Sequence, residues 1–274
     1  MARQVKSKQR VADHGEVFTA EREVNAMLDL VRDETDDIEA TFLEPACGDG
    51  NFLAEILRRK LHRVDYEAQA LTRPGEGEPV RKKARYTDTW EEKSLIALSS
   101  IYGVELLPDN TAECRKRLLG IWQEAYAVAC KGAEREAAQA IAAYILEKNI
   151  QCGDALSMTC ENGGPILFTQ WAWSRDARRG LTVQRTEHRF DVLLRENLDS
   201  DYYDDNNKVQ AMYGGTAQLS MFGDADDFRN WQPPEELHGS PTERPCAEYE
   251  TVHYLRIPEA KLIYSLKEGE SYAR

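Results

Sequence analysis

Long hydrophobic runs are missing from this sequence. No apolar stretch reaches the roughly 18 residues that a membrane-spanning helix needs. The first ten residues, Met1 to Arg10, include no hydrophobic segment of the kind that directs secretion. We therefore expect a soluble, cytoplasmic globular protein without a membrane partner.

Clustered metal ligands are missing as well. The six cysteines form no Cys-x-x-Cys pair, and the five histidines are scattered without ligand spacing. Zinc sites are built from closely spaced ligands of these types, so we predict no metal site. Buried, reduced thiols are the expected state of the cysteines.

The chain also has no excess of positive charge. Its 48 acidic residues outnumber its 35 basic ones, which gives a net charge of −13. A surface that coats duplex DNA normally draws on clustered lysine and arginine. Such clusters occur within residues 3–10, 58–63 and 81–85, and each fits either a solvated face or a local DNA contact. Residues 1–12 are predicted to form a mobile basic arm.

The most informative stretch that is present runs from Thr41 to Leu53. Apolar Phe42 and Leu43 predict a short strand, and an apolar-periodic helix is predicted from Asn51 to Leu61. Between them, two glycines one residue apart permit positive φ and a close approach of the backbone to a ligand. The helix N-terminus offers free N–H donors to the same ligand. A dinucleotide fingerprint would need a third glycine at position 53, where the sequence has leucine.

The segment Glu44-Pro-Ala-Cys-Gly-Asp-Gly-Asn-Phe52 resembles the cofactor loop of S-adenosylmethionine-dependent DNA methyltransferases, especially the adenine-N6 enzymes of restriction-modification systems. The resemblance implies an α/β fold: a Rossmann-like class I methyltransferase sheet with helices on both faces, here over residues 13–198. It also implies that S-adenosylmethionine is the cofactor. The loop residues expected to contact it are Glu44, Ala46, Gly48, Asp49, Gly50, Asn51 and Phe52.

A second segment, upstream of the glycine turn, fits the same family. A helix is predicted from Ala20 to Arg32, with Thr19 as its N-cap. Phe18 and Thr19 resemble the Phe-Thr-Pro segment that holds the methionine end of the cofactor in these enzymes. Ala20 replaces the usual proline.

Two further segments resemble the parts of the family site that bind the nucleoside. A strand over 99–105 ends in Glu105, which the resemblance assigns to the ribose hydroxyls, with Leu106 beside it. Asp154, followed by Ala155, corresponds to the aspartate that accepts a hydrogen bond from the adenine amino group. Helices predicted over 108–129 and 134–148, and a strand over 149–151, give the alternation of a doubly wound α/β sheet, which binds ligands at the carboxyl ends of its strands.

Residues 62–94 are polar and include a Pro/Gly-containing run, which predicts a loop or hairpin insertion. No region of about 100 residues is left for a separate target-recognition domain. Sequence specificity on DNA would therefore need this insertion, or a second methylase or specificity subunit as a partner.

The Asn-Pro-Pro-Tyr motif of amino-methyltransferases does not occur in the sequence. These enzymes flip the adenine out, stack it on an aromatic ring and accept its amine protons with carbonyl oxygens. After the strand predicted over 165–168, Gln170, Trp171 and Trp173 are the best catalytic candidates, although such tryptophans are more often core residues. A second strand candidate, 189–194, also lacks the prolines.

Two functions stay open from the sequence. One is an active DNA adenine-N6 methyltransferase or methylase subunit of a restriction-modification or phage-defence system. The other is a catalytically silent subunit that binds cofactor or DNA and partners an active one. A small-molecule or protein methyltransferase on the same fold is a weaker third alternative.

The end of the chain is predicted to be extended and then strand-like. Residues 199–248 form an acidic, flexible segment, and residues 249–274 contribute strands that complete the sheet. Within the acidic segment, Gln218, Leu219, Met221 and Phe222 belong to a pentapeptide that resembles the motif for binding the DNA polymerase sliding clamp. The alternative is a loop that anchors Phe222 on the protein's own core.

Overall fold

The computed structural model describes residues 6–14, 17–72, 82–191 and 245–265. The clamp-like pentapeptide 218–222 and the acidic segment up to residue 244 lie outside the described residues. So do residues 192–194 of the second strand candidate and the segment 195–198 that follows it.

The described helices follow the order of the sequence expectations, with some changes in length. They are α1 (Lys8–His14), α2 (Glu21–Leu28), α3 (Arg32–Asp36), α4 (Asn51–Thr72), α5 (Lys82–Ser99), α6 (Pro108–Ala129) and α7 (Glu136–Asn149), with a 3-10 turn at Asp29–Val31 between α2 and α3. Helix α6 has the predicted bounds, and α7 is shifted by one to two residues.

A parallel three-stranded sheet lies at the centre of the described chain. Its strands are β1 (Phe42–Glu44), β2 (Ile101–Glu105) and β3 (Ile150–Cys152), in the order β1-β2-β3. Helices α4 and α5 connect β1 to β2, and α6 and α7 connect β2 to β3. The predicted α/β alternation is therefore confirmed.

The two faces of the parallel sheet are covered by different structures, because successive strand residues point to opposite faces. Phe42, Ile101 and Ile150 belong to the main core, together with apolar residues of the helices. Val104 points to the other face, into a smaller core with Met158, Ile166, Phe168 and Phe190. In the described residues the second face is thus covered by residues of the segment 158–168 and by Phe190, where helices were expected.

The chain after residue 165 forms a second, antiparallel sheet. Its strands are β4 (Leu167–Asp176), β5 (Gly180–Arg189), β6 (Ala247–Tyr249), β7 (Val252–His253) and β8 (Leu262–Ser265), with a 3-10 segment at Tyr254–Glu259. Strands β4 and β5 pair along all ten residues, and the order is β4-β5-β6-β8, with β7 also on β5. The C-terminal strands therefore complete this sheet and not the parallel one.

The prediction of a loop at 62–94 was wrong over most of its length. Helix α4 continues to Thr72, and α5 covers 82–99, so that the region is mainly a pair of packed helices. One side of the pair is mainly apolar and buried, as in any amphipathic helix, and most of the described charged residues other than Glu91 lie away from it. The buried residues include Leu61, Val64, Ala68, Trp90, Leu95 and Leu98.

The amino-terminal segment also differs from the expectation of a mobile basic arm. From Lys6 onward it is described, and α1 lies against the start of α6. Lys6 contacts Glu113 at 2.7 Å, and Arg10 contacts Asp109 at 2.6 Å. The positive charges of Lys6 and Arg10 are thus paired with acids of the chain. Contact of this basic cluster with DNA had been an open alternative.

The N-cap predicted for α2 was wrong. The helix begins at Glu21, Ala20 is at the N-cap, and no side chain caps the helix. Thr19 is one residue too early to bond the N–H groups of the first turn. The helix is also shorter than predicted, because the 3-10 turn at Asp29–Val31 interrupts it.

Candidate functional site

The carboxyl ends of the three parallel strands bring the predicted cofactor segments together. Beyond β1, the Cys47 N–H donates to the Val104 carbonyl at 2.9 Å, so the glycine turn lies beside the end of β2. Beyond β3, the Gly153 N–H donates to the Glu105 carbonyl at 2.9 Å, which places Asp154 on the other side. Glu105 is therefore flanked by the glycine turn and the Asp154 loop.

The glycine turn needs both of its glycines. Gly48 and Gly50 have φ values of 55° and 87°, in the left-handed region that side chains disfavour. A Cβ on Gly48 would lie 3.2 Å from the Phe18 ring, and one on Gly50 would lie 2.7 Å from the Cys114 Sγ. The turn is thus closely packed between the Phe18 segment and α6.

Replacing Gly50 by alanine should lower the free energy of unfolding by about 2–3 kcal/mol, the sum of a left-handed alanine and a core overlap. Gly132→Ala is the matched control, because Gly132 has a φ of 77° but no atom within 4 Å of an added Cβ. Chemical denaturation of the two variants measures the difference. An equal loss of stability in both variants would show that the overlap with Cys114 does not destabilise the fold.

Phe18 and Thr19 lie beside the turn, as the resemblance implies. Besides the proximity of the Phe18 ring to Gly48, the Asn51 amide Nδ2 donates to the Thr19 carbonyl at 3.1 Å. Asn51 is the first residue of α4, so this bond joins the helix N-terminus to the Phe18 segment.

Glu105 is buried, and its carboxylate accepts three hydrogen bonds. Oε2 accepts from the Gly48 N–H at 2.9 Å, and Oε1 accepts from the Leu107 N–H at 3.0 Å and from the Asn110 amide at 3.2 Å. A carboxylate has about four acceptor positions. To accept from both hydroxyls of a diol, Glu105 would need to release one present donor. The Asn110 amide is the donor that a side-chain rotation can withdraw.

Asp154 is half-buried, and one of its oxygens is used locally. Oδ1 accepts from the Leu156 N–H at 2.9 Å, while the backbone of Asp154 pairs with Thr159. Among the described residues, none bonds Oδ2. The geometry leaves one carboxylate oxygen to accept a hydrogen bond from a ligand.

Two exposed leucines follow these carboxylate positions within two residues. Leu106 is 53% exposed and Leu156 is 64% exposed. Apolar side chains beside a few fixed polar groups are typical of small-molecule sites. Leu156 was not among the predicted site residues, although its position two residues after Asp154 could have indicated it.

Other residues of the turn are buried or carry shifted pKa values. Glu44 is buried at the end of β1. A hydrogen bond with the Cys114 thiol and burial raise the pKa of Cys47 well above its usual range, so Cys47 is no thiolate nucleophile at neutral pH. Burial raises the pKa of Asp49, and the positive charges of Arg117 and Lys6 oppose that shift.

The structure does not bring the predicted catalytic side chains to this site. The Trp171 indole donates to Asn149 Oδ1 and the Trp173 indole donates to Ser99 Oγ, both at 2.9 Å. Ser99 precedes β2, whereas Glu105 ends it, so both tryptophans lie toward the opposite edge of the parallel sheet. They are core residues there, and Gln170 is exposed on the other side of β4.

The physical reason is a reversal of the chain at residue 165. Phe168 packs against Tyr102 and Val104, and Trp173 reaches Ser99, so β4 runs away from the carboxyl edge. Strand β5 runs back and ends beside the Asp154 loop, where the Phe190 N–H donates to the Ile166 carbonyl at 2.9 Å. The second strand candidate, 189–194, starts near the site, but the strand ends at Arg189 and residues 190–191 are helical, so the prediction was wrong there. Residues 192–194 lie outside the described residues.

No group of three or more metal-ligating side chains occurs within the described ranges 6–14, 17–72, 82–191 and 245–265. All six cysteines are free thiols, and three of them are buried. Of the helices in the described part of the chain, none combines the length and hydropathy that a membrane span requires.

Comparisons of the chain with family models, with curated proteins and with solved structures found no match.

Proposed function

We propose that this chain binds S-adenosylmethionine and serves as a DNA adenine-N6 methyltransferase or as the methylase subunit of a restriction-modification or phage-defence system. The observation that carries the proposal is the meeting of four separate segments at one edge of a parallel sheet. These segments contain Phe18, the glycine turn, Glu105 and Asp154. They are far apart in the sequence, yet each corresponds to a part of one methyltransferase site.

The chemistry of the edge suits a sulfonium nucleoside. The buried Glu105 carboxylate would accept from ribose hydroxyls, and the second oxygen of Asp154 would accept from an adenine amino group. Leu106 and Leu156 would provide apolar contact for the adenine ring. The turn and the start of α4 would bind the remaining part of the cofactor through backbone N–H groups. Bound there, the cofactor would supply an electrophilic methyl group.

The charge around the site favours a subunit that works with a partner. Three of the described basic side chains near the site, Lys6, Arg10 and Arg117, are each paired with an acid of the chain. Neutralising DNA phosphates requires lysine and arginine that can meet the backbone. A specificity subunit or second methylase that supplies this charge is therefore part of the proposal, and the sliding clamp stays a candidate partner.

A catalytically silent subunit is the second candidate function. It is favoured by the missing Asn-Pro-Pro-Tyr motif and by the positions of Trp171 and Trp173 toward the far edge of the sheet. Such a protein would keep the cofactor site and depend on its partner for the transfer.

Transfer of a labelled methyl group separates these functions. The full chain, alone and with the products of neighbouring genes, is incubated with labelled S-adenosylmethionine and mixed-sequence duplex DNA. We expect label at the N6 position of adenine, and none on DNA whose adenines are already methylated. Cofactor binding without any transfer would favour the silent subunit. Label only in protein or small molecules would contradict a DNA substrate.

A further inference from the structure

Arg117, in the third turn of α6, contacts two segments of the candidate site that are distant from it in sequence. Its Nη1 donates to Asn51 Oδ1 at 2.6 Å and lies 3.3 Å from Asp49 Oδ1. The Asn51 amide nitrogen in turn donates to the Thr19 carbonyl at 3.1 Å. A continuous chain of hydrogen bonds therefore runs from α6 through the start of α4 to the Phe18 segment.

This chain fixes the orientation of the Asn51 amide. A guanidinium can only donate, so the amide must present its oxygen to Arg117 and its nitrogen to Thr19. Arg117 also lies beside the carboxylate of Asp49 within the turn, which it balances electrostatically. Without Arg117 the amide would lose its fixed orientation, and the Asp49 carboxylate would lose its ion pair and keep only the weaker influence of Lys6.

The position of these groups differs from that of the nucleoside-binding groups. Glu105, Asp154 and the two exposed leucines follow β2 and β3, whereas Asp49, Asn51 and Thr19 surround the start of α4. If the nucleoside lies at the first set, the rest of the cofactor, its charged amino-acid end, lies at the second. This step depends on the proposed function.

We infer that Arg117 is a positioning residue for the amino-acid end of the cofactor. Arg117 positions that end indirectly, through its contacts with Asn51 and Asp49. These two residues set the spacing between the glycine turn and the Thr19 carbonyl. It does not contact the nucleoside groups at Glu105 and Asp154. Loss of Arg117 should therefore weaken the binding of ligands that carry the amino-acid end and leave the binding of ligands without it nearly unchanged.

The test compares two ligands on the full chain by calorimetry. S-Adenosylmethionine carries the amino-acid end, and 5′-methylthioadenosine lacks it. Arg117→Met should weaken binding of S-adenosylmethionine about tenfold, the effect expected for one hydrogen bond to a charged group. Binding of 5′-methylthioadenosine should stay within about twofold, because its contacts do not involve this chain of bonds.

Two variants serve as controls. Lys116→Met removes one positive charge from the adjacent, exposed position of α6 and should leave both affinities unchanged. Arg117→Lys keeps the charge beside Asp49 and should recover part of the affinity for S-adenosylmethionine. If a thermal melt shows that Arg117→Met does not fold, the two ligands are compared on Arg117→Lys instead.

The outcomes separate the inference from the proposal on which it rests. Equal weakening of both ligands, or of neither, would overturn the role of Arg117 while leaving the cofactor site intact. Wild-type protein that is folded but binds neither ligand would overturn the proposed function and this inference with it.

Discussion

Glu105→Gln should weaken the binding of adenosine to the site about 100-fold. The variant replaces a carboxylate that can accept from two ribose hydroxyls, and each hydrogen bond to a charged acceptor contributes about 1.5–3 kcal/mol. It also turns an amide donor toward the backbone N–H groups of Gly48 or Leu107, which now donate to Glu105. The measurement is a calorimetric titration of wild type and variant.

A ligand without the hydroxyls distinguishes a ribose contact from general damage to the site. Wild-type protein should bind adenosine more tightly than 2′,3′-dideoxyadenosine. In Glu105→Gln that difference should nearly vanish, because the side chain that reads the hydroxyls is gone. A difference that survives unchanged in the variant would place the ribose elsewhere.

Glu91→Ala should lower the free energy of unfolding by about 3–5 kcal/mol, the usual effect of breaking a buried charge pair from one side. Glu91 is buried in α5 and accepts from the Tyr126 hydroxyl at 2.5 Å, the Tyr254 hydroxyl at 2.6 Å and Arg135 Nη1 at 2.8 Å. Burial raises the pKa of both tyrosines, so they remain donors at neutral pH. Without Glu91, both tyrosine hydroxyls would lose this acceptor, and Arg135 Nη1 would keep only the Tyr254 hydroxyl oxygen, at 3.0 Å.

The neighbouring residue Glu92 provides the matched control. It pairs with Arg175, whose side chain is 64% exposed, and exposed pairs contribute about 1 kcal/mol or less. Denaturant unfolding of Glu91→Ala and Glu92→Ala should therefore show a large and a small loss. Comparable losses would mean that the hydrogen bonds of Glu91 do not stabilise the packing of α5 against the C-terminal segment.

The parts of the fold that could be predicted from the sequence are those with local signals. Helix α6 begins at a proline in the first turn and presents Cys114, Leu118 and Trp122 on one side, so its bounds follow from its own residues. The glycine turn was predicted from Gly48 and Gly50 for the same reason. Their positive φ values are consistent with the requirement for glycine at both positions.

Parts that depend on distant contacts were missed. The helices within 62–94 were missed because many of their residues are charged. The buried side of α5 is explained only by its partners, such as the tilted ring contacts of Trp90 with Trp122 and Tyr126. The direction of β4 was missed because a strand's pattern does not reveal which neighbour it pairs with.

The same limit applies to the candidate site. The sequence predicted the residues next to glycines, at strand ends and in family-like motifs. Arg117 and Asn110 were missed. Asn110 is only five residues from Glu105 but belongs to none of the family-like motifs, whereas Arg117 acts on a segment that is distant in the chain. Arg117 is 66 residues from Asn51, and nothing local in α6 indicates the bond between them.

A structure of the full chain with S-adenosylhomocysteine tests the central claim most directly. We expect both ribose hydroxyl oxygens within about 3.2 Å of the Glu105 carboxylate. We also expect the adenine amino group to donate to Asp154 Oδ2 and the ring to lie between Leu106 and Leu156. A ligand bound away from the carboxyl ends of β1, β2 and β3 would contradict it.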